Sequence, residues 1–103
     1  MEEMKTTLVK YLVDLGNNPL SVANRLKEMN IGGYRNNCRG CPIARYLTRH
    51  PLCFGLNVEV DESEIQVGNI HIRFWEHPEL NGVRGFIFEF DDGDFDEVAW
   101  SHP

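Results

Sequence analysis

The sequence predicts an α+β domain made of three N-terminal helices, a small antiparallel sheet of two or three strands, and a C-terminal helix. Two patterns support this. Apolar residues in the first half recur every three or four positions, whereas those from 56 to 74 alternate with polar ones. Prolines and glycines fall at the borders of the periodic runs, where helices start and stop.

Met4, Leu8, Tyr11, Leu12 and Leu15 mark the first helix, which Gly16 ends. Asn18-Pro19 is an N-cap followed by proline at the first helical position, where its missing N–H costs nothing. Val22, Ala23, Leu26 and Met29 form the next stripe, closed by Gly32-Gly33, and 32–40 is loop-like. A third helix starts at Pro42 with Ile43, Tyr46 and Leu47 on one face. It stops near His50, because Pro51 disfavours helix at the residue before it.

Strand alternation follows at Leu56, Val58 and Val60, at Ile65 and Val67, and at Ile70, Ile72 and Phe74. Phe86, Phe88 and Phe90 also alternate, yet Val83, Phe86, Ile87 and Phe90 sit at i, i+3, i+4 and i+7. Helix is preferred here, opened by Pro78 and closed by Gly93. Asp94-Phe95-Asp96-Glu97 reads as a capping box for a last turn, with Asp94 as cap.

The chain has 103 residues, room for one domain, with 42% hydrophobic and 25% charged residues, which argues against disorder. No apolar run approaches the ~18 residues that span a bilayer, and the acidic start lacks a signal core. The expected setting is cytoplasmic and free of membrane. Trp100-Ser101-His102-Pro103 matches the first half of a streptavidin-binding affinity tag. Residues 1–99 are therefore taken as the domain and 100–103 are set aside as a tag remnant.

Net charge is −6 but uneven. Residues 1–53 carry eight Lys/Arg against four Asp/Glu, and residues 54–103 carry two against twelve. The halves either attract each other or present a binding face.

Chemistry concentrates around Asn37–Leu47. Cys38, Cys41, His50 and Cys53, spaced C-x2-C-x8-H-x2-C, could supply three thiolates and an imidazole to a structural zinc. A helix of about eight residues spans roughly 12 Å, so His50 and Cys53 would have to fold back along it. Alternatively Cys38-x-x-Cys41 is a redox dithiol with its thiolate favoured at a helix N-terminus, although such motifs normally follow a strand. In the plainest reading Cys41 caps a helix and Cys53 fills the core. Three helices and a hairpin also give the element order of a winged-helix DNA binder. Arg35, Arg39, Arg45 and Arg49 would then be its phosphate contacts. A nine-residue loop before the third helix, an acidic wing at Asp61–Glu64 and the negative net charge disfavour nucleic acid.

Other constellations are thin. The acidic run 91–97 lacks EF-hand spacing, no serine sits in a nucleophile elbow, and no glycine pattern cradles phosphate.

The block Cys41-Pro42-Ile43-Ala44-Arg45-Tyr46-Leu47 and the later Phe86-x-x-x-Phe90-Asp91-x-Gly93 resemble a group of small uncharacterised bacterial and phage proteins. These share C-P-[LI]-A-x-Y-L and F-x-x-x-F-D-x-G elements. The resemblance covers roughly residues 20–95 and implies that Cys41 belongs to the shared block while Cys38 and Cys53 need not. The leading expectation is a non-enzymatic protein-binding module without cofactor, a phage-type accessory protein acting on a host component. A winged-helix-like DNA binder and a zinc-stabilised Cys3His domain are the alternatives.

Overall fold

The computed structural model describes residues 2–100. Helices α1 (Glu2–Val13), α2 (Pro19–Glu28) and α3 (Pro42–Thr48) come first. Strands β1 (Val58–Val60), β2 (Glu64–Val67) and β3 (Ile70–Arg73) follow, then α4 (Asn81–Asp91). Single 3-10 turns occupy Pro51–Cys53, Phe74–Glu76, Pro78–Leu80 and Asp96–Val98. The α+β class and element order match the sequence expectation.

α2 and α3 each begin where local chemistry supplies a cap. The Asn18 side chain accepts from the Ser21 N–H at 2.9 Å, and Pro19 takes the first helical position. Cys41 plays the same part for α3. α1 and α3 are tied by a reciprocal tyrosine pair. The Tyr46 hydroxyl donates to the Tyr11 carbonyl at 2.6 Å, the Tyr11 hydroxyl donates to the Tyr46 carbonyl at 3.2 Å, and the rings stack 4.1 Å apart.

The sheet is an antiparallel meander in the order β1-β2-β3, in register Val58↔Val67, Val60↔Ile65 and Ile65↔Ile72. Val58, Val60, Ile65, Val67, Ile70 and Ile72 are buried, while Glu59, Gln66 and His71 form a row on the other face. The period-2 pattern thus put one face into the core. The loop before α3 covers the outer edge of β1, since Val60 N–H donates to the Cys38 carbonyl at 2.8 Å.

α4 is a helix as preferred. Val83, Phe86, Ile87 and Phe90 are buried, while Phe88 stays 42% exposed, so the 3.6-residue period prevails over the alternation of the three phenylalanines. It lies along α2, with Gly82 against the Asn17–Asn18 backbone and Gly85 against the Pro19 ring.

Four local expectations need correction. Pro78 opens a 3-10 turn, and α4 proper starts at Asn81. Phe74 begins a 3-10 turn instead of ending β3. Leu56 lies outside β1, its side chain over Gly68 of the β2–β3 turn. The capping box is absent: Phe95, at φ 62°, precedes the last turn, and Asp94 makes no side-chain cap there. Phe95 takes this left-handed conformation to lay its ring on Phe86, 5.3 Å away and nearly parallel.

Candidate functional site

The cysteines separate by environment. Cys41 is buried as the α3 N-cap, its Sγ accepting from the Ala44 N–H at 3.4 Å. Burial pushes its thiol up to about 11, against which the hydrogen bonds from Ala44 and Ile43 work weakly. Cys53 is buried below the turn after α3, and burial raises its thiol pKa too. Cys38 is exposed, its thiol 3.8 Å from Glu59 Oε1. His50 Nδ1 accepts from the Leu52 N–H at 3.1 Å, which places the neutral ring's proton on Nε2, and Tyr11 stands edge-on to the ring. Among the described residues no three His, Cys, Asp or Glu side chains form a group that could hold a metal ion. Cys38, Cys41, His50 and Cys53 are therefore not assembled around one point. Cys38 and Cys41 line one cleft.

Three of the four candidate arginines are engaged within the fold. Arg35 donates to the carbonyls of Phe90 and Asp94 and pairs with Asp96 Oδ1 at 2.6 Å, its guanidinium 4.7 Å from the Phe90 ring centre. Arg39 approaches Glu59 at 3.7 Å. Arg45 lies over the Trp100 indole at 4.2 Å. Arg49, exposed at the C-terminus of α3, makes no ion pair within 4.0 Å among the described residues. The Asn36 N–H adds a bond to Asp91 Oδ1 at 2.9 Å. The basic and acidic halves thus attract each other. α3 buries Pro42, Ile43, Ala44, Tyr46 and Leu47, so it has no broad free face of the kind a recognition helix inserts into a groove.

The C-terminal segment closes this region. Gly33 N–H donates to the Val98 carbonyl, Trp100 N–H donates to the Gly33 carbonyl at 2.8 Å, and Gly33 bridges Ala99 in parallel. Trp100, the first residue of the tetrapeptide set aside as a tag remnant, packs edge-on to Tyr34. Ser101, His102 and Pro103 lie outside the described residues.

The most exposed apolar feature was missed in the sequence. Phe54 is 90% exposed, flanked by Leu52 at 39% and Leu56 at 40%. The segment is held by Phe54 N–H to the Pro51 carbonyl at 3.2 Å and Leu56 N–H to the Cys53 carbonyl at 3.0 Å. Gly55 turns the chain at φ +79°, a conformation costly for other residues. Cys53, directly before Phe54 in the chain, is buried. A readable signal was present: Phe-Gly directly after a proline turn, outside either periodic run.

No described helix is long and apolar enough to cross a membrane. No protein-family model, curated protein or solved structure matches this chain.

Proposed function

We propose that the chain is a non-enzymatic protein-binding module that docks through the Phe54 knob, with Leu52 and Leu56 as its apolar flanks. The 90% exposure of Phe54 on a hydrogen-bonded turn carries the reading. Scattered exposed apolar residues are ordinary, but three within five positions on a constrained turn concentrate apolar surface in one short segment. An aromatic side chain buries about 150–250 Å² when a partner pocket receives it, and a pre-set turn loses little entropy on binding. Arg49, a few residues earlier, would sit at the polar rim, where charge affects the rate of encounter more than affinity. A phage-type accessory protein acting on a host component is one form of this reading.

The test is quantitative capture from native lysate by the immobilised chain, compared with Phe54→Ser and Arg49→Ala variants of unchanged melting temperature. Phe54→Ser should weaken retention of the captured protein by at least about tenfold, while Arg49→Ala changes mainly its salt dependence. Capture that is absent with the wild-type chain, or undiminished with Phe54→Ser, would sink the proposal.

A further inference from the structure

We propose that Cys38 and Cys41 form a reversible dithiol that hydrogen peroxide oxidises to an intrachain disulfide. The two residues line one cleft of about 340 Å³, together with Asn36, Val60, Ser63 and Ile87. The chain between them is folded tightly, because Asn37 Oδ1 accepts from the Arg39 N–H at 3.1 Å and the Gly40 N–H at 2.8 Å. Cys38 is exposed and can meet an oxidant, whereas Cys41 is buried. Cys53 does not line this cleft, so the structure selects one pair among the three cysteines.

The chemistry balances with the peroxide as sole oxidant. The Cys38 thiolate attacks a peroxide oxygen, the O–O bond breaks, and Cys38 becomes a sulfenic acid with release of water. Cys41 Sγ then attacks Cys38 Sγ. The S–S bond forms, the S–O bond breaks, and the hydroxide leaves with the Cys41 proton as a second water. Two thiols lose two electrons and two protons, and one peroxide becomes two waters. Burial keeps Cys41 from meeting the peroxide first, and its nearness to Cys38 along the tight loop, not its acidity, makes it the resolving thiol, its proton leaving as the S–S bond forms. Bond formation also moves the sulfur that accepts from Ala44 N–H at the start of α3. It pulls on the loop whose Cys38 carbonyl covers the β1 edge. Oxidation thereby reaches both a helix cap and a sheet edge.

The full chain is exposed to hydrogen peroxide, quenched with iodoacetamide, and measured by intact mass and peptide mapping. The expected product is about 2 Da lighter before alkylation, carries a Cys38–Cys41 link and one free thiol, and reverts with dithiothreitol. Cys38→Ser, at an exposed position, should abolish the link, and Cys53→Ser should keep it. Accumulation of Cys38 sulfinic acid without the linked species would overturn the proposal. So would a disulfide that includes Cys53, or a Cys38-linked dimer.

Discussion

Gly82→Ala sets two physical effects against each other. Alanine is favoured over glycine within a helix by up to about 1 kcal/mol, so propensity alone predicts stabilisation. The packing predicts the reverse. A Cβ on Gly82 would clash with the Asn17 carbonyl carbon and stand 2.5 Å from Asn18 N, where ordinary contacts begin at 3.4 Å. Both obstacles are backbone, and Asn18 is the residue whose side chain caps α2. Relief requires α4 to move away from the α1–α2 connection. Because both obstacles are backbone, the cost lies in the upper part of the overpacking range, about 2–3 kcal/mol, which after the propensity gain leaves a net loss of about 1–2 kcal/mol. At 4–8 °C per kcal/mol for a domain of this size, the melting temperature should fall by roughly 5–15 °C. Gly85→Ala in the same helix is the control. Its one tight contact would be with the Pro19 Cγ at 2.9 Å, a ring atom that can pucker away, so the net change should lie within about 0.5 kcal/mol of zero. Urea denaturation with unchanged m-values measures both variants. If Gly82→Ala is as stable as the wild type, or less affected than Gly85→Ala, the close backbone approach is not what fixes α4 in place.

Arg35→Ala should cost about 2 kcal/mol in urea denaturation, mainly by stranding the carbonyls of Phe90 and Asp94, because Asp96 is largely exposed and contributes little. Arg39→Ala, removing a loose exposed pair, should cost less than about 0.5 kcal/mol; equal losses would refute the assignment. Stability should also fall in alkali. The Cys41 thiol titrates at 9.0 in its ordinary state and at about 11 when folded. Its contribution is complete below pH 9 and is lost as pH rises toward 11, by about 2–3 kcal/mol. Tyr46 and Tyr11, both raised by burial, extend the decline above pH 10. Cys53, also raised by burial, shares the decline that begins near pH 9, so Cys41→Ser should reduce that part without abolishing it, and a wild-type urea midpoint unchanged from pH 7 to pH 10.5 would contradict the assignment.

Local chemistry was legible, and long-range geometry was not. Asn18-Pro19 and Cys41-Pro42 announce helix starts because each cap is settled within four residues. The alternation of Val58 through Ile72 shows which strand face is buried for the same reason. The apparent capping box at Asp94 failed because a contact between Phe95 and Phe86 outweighed a local preference. Arg35 read as a phosphate ligand because the sequence does not show that α4 ends beside it, 55 residues later. For the cysteines, spacing alone left zinc, redox and capping readings open. Burial separates Cys41 and Cys53 from Cys38, and the Ala44 bond identifies Cys41 as a cap. Phe54 escaped notice because periodicity describes what a chain buries and carries no signal for what a turn displays.

The closure of Gly33 by Val98–Trp100 has a consequence for the order of assembly. The loop after α2 takes long-range bonds from Phe90, Asp91, Asp94, Asp96, Val98 and Trp100, all synthesised well after it. A nascent chain can form its first two helices and its sheet early, but that loop must wait for residues more than fifty positions downstream. Its final shape, and with it the cleft between Cys38 and Cys41, is therefore acquired only after the segment through Trp100 has been made. A ribosome-bound chain halted near residue 85 should leave the loop open to proteases that do not cut it in the finished protein.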